Sequence, residues 1–349
     1  MNDPAVIRLL CMGLPGQPGL PDIAAPFSKE ELALSPLALP NDTPEQGWTA
    51  REKDGLRWLE RPMPGLPAPL YITGPSSSSL DMAKSLLLHG LFPEWASVLC
   101  LSQSAGRGQM RREWASPAGN IYAALRIPTT GPFATFAAAP AIGGLVAEAL
   151  LNEGFPVLLK WPNDLLQAST SLSPGTMPGR TECRKVGGIL LEERQGALIA
   201  GIGLNIASAP SDSTLRDNYV FSAGVLTSEQ GSPPTLPSHG KTKESGTFVT
   251  IFTLWKQLVG NIVSCYAWNS TPDSWWPSLA EKHLAFRGCR IRLTDACPED
   301  DSMTRVPCVG VIDGVASSGA LRLRTEYGTE TFLGGSLLPG NVPFGDDDV

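Results

Sequence analysis

The chain has 349 residues, 42% of them apolar, enough for one large domain with appendages or for two domains around a sizeable core. Seven cysteines form no CxxC pair and the three histidines, His89, His239 and His283, lie far apart, so neither a disulfide framework nor a zinc site is indicated. A net charge of −7 disfavours broad nucleic-acid binding, and the absence of a long apolar run or a signal-peptide pattern points to a cytoplasmic protein with no membrane association.

Residues 1–69 read as a Pro-rich extension whose apolar patches are too broken for regular elements. Over residues 1–70 six basic side chains face nine acidic ones, and no pair of periodic helices joined by a short turn appears, so a DNA-reading helix-turn-helix is not expected there. Regular structure is expected to begin near Leu70, with a strand over Leu70 to Thr73. Ser78 and Asp81 then stand at capping spacing before a helix that carries Met82, Ala83, Leu86 and Leu87 and stops at Gly90. Ser97 to Ser102 and Asn120 to Ile127 read as strands, with a polar, Arg- and Gly-bearing loop from Gln103 to Pro117 between them.

A helix of small residues follows over Ala134 to Asn152, then a strand over Val157 to Lys160. Val186 to Glu192 and Ala197 to Ile206 form a hairpin about Gln195-Gly196. Residues 166–184 and 228–246 are rich in Ser, Thr, Pro and Gly and read as surface insertions. From Phe248 to Tyr266 the apolar residues keep helical spacing, so the aromatic residues there belong to an amphipathic helix packed on a sheet. After Phe286, short alternating segments (Cys289 to Leu293, Cys308 to Val315, Ala320 to Thr325, Thr329 to Leu333) with Gly-rich turns predict a small β-barrel over 286–338, ahead of an acidic tail at 339–349.

Three stretches could carry chemistry. In residues 106–114, Gly106 and Gly108 free the backbone to approach a ligand, Arg107 and Arg112 offer forked donors to carboxylate or phosphate oxygens, and Trp114 can close over an apolar body; a solvated basic loop has the same composition. In Lys160-Trp161-Pro162-Asn163-Asp164 a strand ends in Asn163 and Asp164, which either orient a polar ligand or make an ordinary turn. In Lys185-Val186-Gly187-Gly188, a lysine stands at the mouth of an apolar strand beside glycines that let a flat ligand lie on the backbone; a snorkelling lysine is the plainer reading. Gly201-Ile202-Gly203-Leu204-Asn205 supplies a second glycine-lined strand without the context of a dinucleotide site.

Taken in order, these motifs resemble the biotin protein ligase family, over roughly Ile72 to Leu338. The resemblance implies an α+β fold: a mixed-sheet, class II synthetase-like catalytic domain over 70–285, followed by an SH3-like barrel. It implies ATP-dependent formation of biotinyl-5'-AMP, with Mg2+ accompanying ATP, and transfer of biotin to a lysine of a biotin carboxyl carrier protein such as that of acetyl-CoA carboxylase. On that resemblance biotin would contact Ser78, Ser79, Leu80, Gln103, Arg107, Gly108, Gln109, Trp114, Lys185, Gly187 and Gly188. The adenylate would meet Arg107, Arg112, Trp114, Asn163, Asp164, Lys185 and Asn205, and Lys185, Arg107 and Arg112 would act in catalysis. No metal ligand is assigned. A lipoate or octanoate ligase or transferase of similar fold and a biotin-sensing regulator are the alternatives; the former generally lacks the Trp-Pro-Asn-Asp run, and the acidic N-terminal segment disfavours the latter.

Two positions depart from the family pattern. Leu80 replaces the usual Asn, and Gln109 stands where many members carry a second loop Arg. Losing one charge-assisted hydrogen bond costs about 1.5–3 kcal/mol, which Arg111, two residues on, could offset. Gln109→Arg is therefore expected to slow release of the adenylate, measured by trapping the free intermediate; an unchanged release rate would show that Gln109 does not set retention.

Overall fold

The structure, a computed structural model, describes residues 5–10, 48–109, 112–168, 182–211, 221–228, 231, 243–268, 275–299 and 308–339. The strands are β1 (Val6–Leu10), β2 (Thr49–Lys53), β3 (Leu56–Pro62), β4 (Leu70–Thr73), β5 (Ser97–Cys100), β6 (Ile121–Ile127), β7 (Leu158–Lys160), β8 (Asp164–Ala168), β9 (Cys183–Arg194) and β10 (Ala197–Leu204), then β11 (Arg290–Pro298), β12 (Cys308–Val315), β13 (Leu321–Thr325) and β14 (Gly328–Pro339). The helices are α1 (Ser79–Leu88), α2 (Ala138–Asn152), α3 (Lys243–Trp268) and α4 (Trp275–Lys282). One mixed sheet runs β2-β3-β1-β4-β5-β6-β10-β9-β8-β7, and β11 to β14 close into a barrel. This is the α+β fold that the family resemblance implied, with the C-terminal barrel that the strand pattern after Phe286 predicts.

The sheet begins well before Leu70. Strand β1 pairs in parallel with β4 and antiparallel with β3, whose other edge takes β2, so the N-terminal segment extends the sheet. Its polar residues hid this from a periodicity argument. Arg8 lies buried within the sheet because its guanidinium bonds Glu60 and the Tyr71 hydroxyl while stacking on Trp58 and Tyr71. Two other elements escaped the sequence reading: α4, with Pro277 in its first turn, and β8, which takes up the first residues of the expected insertion. Its last residues, Cys183 and Arg184, open β9, while 169–181 and most of 228–246 lie outside the described residues.

Helices α2 and α3 cover one face of the sheet, and α1 covers the other together with Leu10, Leu56 and Trp58 from the N-terminal strands. Close approach explains the small residues of α2. A Cβ on Gly143 would lie 2.6 Å from a Leu159 methyl, and one on Gly144 would lie 3.1 Å from the Ala280 Cα in α4. The helix starts at Ala138 rather than Ala134, because Pro132 opens a separate 3-10 turn over Gly131–Ala134. Helix α1 starts as its spacing predicts, with the Ser78 hydroxyl accepting from the Asp81 N–H. The β9–β10 hairpin turns through Gln195 and Gly196, both at positive φ (52° and 71°).

Asn120 fixes the end of β10 to the start of β6. Its Oδ1 accepts from the backbone N–H groups of Ile206, Ala207 and Ser208, and its amide donates to the Tyr122 hydroxyl and the Ser208 carbonyl. Asn120 is 2% exposed and Ile206 is buried, so removing the amide strands the Ile206 N–H, at about 1–3 kcal/mol, and weakens two partly buried donors. Asn120→Ala is expected to lower stability by at least about 2 kcal/mol in urea unfolding; a change under about 0.5 kcal/mol would show that water or backbone shifts replace these bonds.

Candidate active site

Side chains on a regular strand alternate faces, so Lys185 would share a face with Gly187. It does not. In the β8–β9 ladder Leu165 pairs with Gly187 but Leu166 pairs with Lys185, which leaves Val186 as the extra residue of a bulge. The bulge shifts parity. A Cβ on Gly188 would lie 3.5 Å from the Lys185 Cε and 3.4 Å from the Trp114 ring, whereas one on Gly187 would strike Leu204 and the Gly203 carbonyl on the other side. Lys185 and Gly188 thus share one face with Gly203, which pairs with Gly188, and with Gly201.

These three glycines floor a trough. The Trp114 indole lies over Gly203, where a Cβ would come within 2.9 Å of it, and Leu80 lies over Gly201 at 3.0 Å by the same measure. Leu80, 6% exposed, therefore serves as an apolar wall where the family pattern has Asn. The Lys185 ammonium stands 5.3 Å from the Trp114 ring centroid and 2.5 Å from Asp164 Oδ1, and Lys160 reaches Asp164 Oδ2 at 3.2 Å. Burial opposes ionisation of Asp164, but the two ammonium groups outweigh it and hold its carboxyl below the usual carboxylate range.

The loop from Gln103 to Ser116 is anchored to the start of α1. The Gln103 side chain accepts from the Ser79 N–H and donates to the Ser116 hydroxyl, and Ser104 and Ala105 donate to the carbonyls of Ser76 and Ser77. Gly106 is required there: a Cβ would lie 2.3 Å from the Trp114 carbonyl. Arg107 forks onto Asp81 at 2.9 and 3.2 Å and approaches Glu192 at 3.6 Å. Burial raises the Asp81 carboxyl, yet hydrogen bonds with Arg107, Ser77 and Ser78, together with the charge of Arg107, bring it below the ordinary range.

The structure therefore gathers Ser78, Ser79, Leu80, Gln103, Arg107, Trp114, Asp164, Lys185 and Gly188 around one trough. Arg112 and Gln109 are exposed beside Gly108 in a tight turn, where the Gly108 N–H donates to Arg112 O and the Arg112 N–H to Gln109 O. Gly187 faces away from the trough. Asn163 and Asn205 are buried and donate their amides to the carbonyls of Ile189 and Gly224, so they brace strands. Asp81 and Glu192 were missed as site residues, since capping and strand-end positions explain them without reference to Arg107. Both Asp164 oxygens are engaged by lysines, and among the described residues no three His, Cys, Asp or Glu side chains cluster to hold a metal. The described residues do not fit a protein-held Mg2+.

A mixed sheet that sets Lys185 and Arg107 beside a glycine floor covered by Trp114 and Leu80 brings cationic and apolar groups together at one place. The biotin/lipoate A/B protein ligase family model matches residues 78–207. The biotin–[acetyl-CoA-carboxylase] ligase of Paracoccus denitrificans is 30% identical over 257 residues, covering 69% of this chain and 91% of that protein. The bifunctional ligase/repressor BirA of Bacillus subtilis is 32% identical over 146 residues, which is 40% of its length. In fold, the chain is similar to the biotin protein ligase from Aquifex aeolicus in complex with biotin and ATP (TM-score 0.52, 20% identity, 77% of this chain and 97% of that one). The chain belongs to the biotin/lipoate A/B protein ligase family.

Two tests bear on the trough. Gly203→Ala is expected to displace the indole and shift the Trp114 resonance in 19F spectra of fluorotryptophan-labelled protein, while Gly188→Ala, at ordinary contact distance, shifts it little; equal shifts would contradict the packing described. The lowered Asp164 pKa implies a stability contribution present above the normal Asp range and lost as pH falls through the depressed value. Asp164→Asn should accordingly flatten the acid limb of the stability–pH curve, and an unaltered limb would remove the ion pair as its cause.

Proposed function

We propose that the chain is a biotin protein ligase that joins biotin to ATP as biotinyl-5'-AMP and transfers the acyl group to a lysine of a biotin carboxyl carrier protein. The observation that carries this reading is the Lys185 ammonium, held by Asp164 over Trp114 at the edge of a glycine floor. A flat bicyclic ring with an apolar tail matches the apolar lining of Leu80 and Trp114, and its carboxylate would extend towards Lys185. The polar start of α1, with Ser78 and Ser79 beside Gln103, would receive the hydrogen-bonding end of the ring.

The chemical obstacle is repulsion between the biotin carboxylate and the α-phosphate of ATP. Lys185 bridges the two anions, and Arg107 adds positive charge as the carboxylate oxygen attacks phosphorus and pyrophosphate leaves. The acceptor lysine amine, as free base, then attacks the acyl carbon of the mixed anhydride and AMP departs. Arg112 extends the cationic rim from the exposed turn. Mg2+ would accompany ATP and offset its phosphate charge, with no residue of the chain assigned to hold it. The relative from Paracoccus denitrificans supports a carrier of the acetyl-CoA carboxylase type as acceptor, and dependence on ATP fits a cytoplasmic setting.

Lys185→Ala is expected to reduce biotinyl-adenylate formation by at least about a hundredfold, on the scale of losing a transition-state charge contact, with unchanged circular dichroism. Near-normal turnover would take Lys185 out of the chemistry. Incubation of the wild-type chain with biotin, ATP and a carrier domain should add one biotinyl group to the carrier by mass spectrometry, and an unmodified carrier despite adenylate formation would refute that acceptor class.

A further inference from the structure

Trp161 belongs to the run that supplies Asp164, yet its own side chain points away from the trough. The indole is 1% exposed, and its N–H donates to the Gly319 carbonyl at 2.9 Å, in the barrel turn between β12 and β13. That turn is closed on itself by Ala316 N–H to Ala320 O and Gly319 N–H to Ala316 O. It also presses on the start of α2: Gly319 sits at φ +94°, and a Cβ there would lie 2.6 Å from the Ala137 N and Cα. Glycine alone lets the turn come this close, which places its carbonyl at the indole.

From Trp161 a short run of bonded residues leads to the site. Asn163 exchanges bonds with Ile189, its amide and its carbonyl both engaged, and Asp164 grips Lys185. Upstream, β7 is tied to the segment entering the barrel, with the Leu159 N–H donating to His283 O and the Ala285 N–H to Leu159 O. The barrel is secured to α4 by Glu281, which accepts from the Val315 N–H and Arg322 and pairs with Arg287.

We infer that Trp161 is a positioning residue through which the C-terminal barrel sets the direction of the Lys185 ammonium. The inference rests on the reading of Lys185 as a group that touches the acyl-adenylate. Trp161→Phe keeps the aromatic bulk and removes the N–H; Gly319→Ala perturbs the same bond from the barrel side.

The test is a double-mutant cycle on binding of a non-hydrolysable biotinyl-adenylate mimic, measured by calorimetry on the full chain. Trp161→Phe and Gly319→Ala should each weaken binding about fivefold, the scale of one hydrogen bond, when Lys185 is present, and cause no further loss in the Lys185→Ala background. Equal losses in both backgrounds would mean a general structural role, and undiminished affinity in the Lys185-containing variants would mean no role; either overturns the inference alone. If Lys185→Ala itself leaves binding unchanged, the functional reading falls and takes this one with it.

Discussion

A lysine at a strand end carries a long flexible stem and ordinarily trails into solvent, so a site built on Lys185 requires something to hold its ammonium. Asp164 does so at 2.5 Å, and the pair is partly rather than fully desolvated, with 28% and 19% of the two side chains exposed. In that setting the ion pair is valued for direction more than for stability, because desolvation offsets much of its attraction. The bulge at Val186 turns Lys185 to the face of Gly188, the glycines let Trp114 lie flat against the backbone, and Asp164 enters from the neighbouring strand. An anionic ligand competing for the same ammonium would find it already oriented.

Arg107 shows the same economy of charge. Its guanidinium is held by Asp81, at the start of α1, and approached by Glu192 at the outer part of β9, so one arginine ties the loop to both walls of the trough. Asp81 and Glu192 offset the charge of Arg107 as Asp164 offsets that of Lys185. They also attach the loop to elements whose positions are set by the core, since α1 packs on β5, β6 and β10 and is braced from the N-terminal strands by Lys53, which donates to the His89 carbonyl. Site geometry is therefore inherited from the sheet.

Much of this was legible from residue order. Capping chemistry located α1, the Gln195-Gly196 turn located the hairpin, and helical spacing located α3. The glycine-arginine loop and the Lys-x-Gly-Gly strand were each ambiguous alone, and their shared order carried the family resemblance. Three kinds of feature were not legible. The N-terminal strands carry charged residues buried by pairing, as Arg8 is with Glu60 and Tyr71, and this defeats a hydrophobic alternation argument. A bulge breaks the alternation rule, so Gly187 and Gly188 could not be told apart as neighbours of Lys185. Partners distant in sequence, such as Arg107 with Asp81, Trp161 with Gly319, or the Asn163 and Asn205 amides with the Ile189 and Gly224 carbonyls, are set by topology.

The most direct measurement is isotope exchange between pyrophosphate and ATP by the purified chain, with biotin, lipoate, octanoate or no acid present, because it reports carboxylate activation without needing the acceptor. Exchange that depends on biotin alone is the result expected of the apolar, glycine-floored trough with Lys185 at its edge. Exchange supported by lipoate or octanoate and not by biotin, or none with any acid, would contradict it.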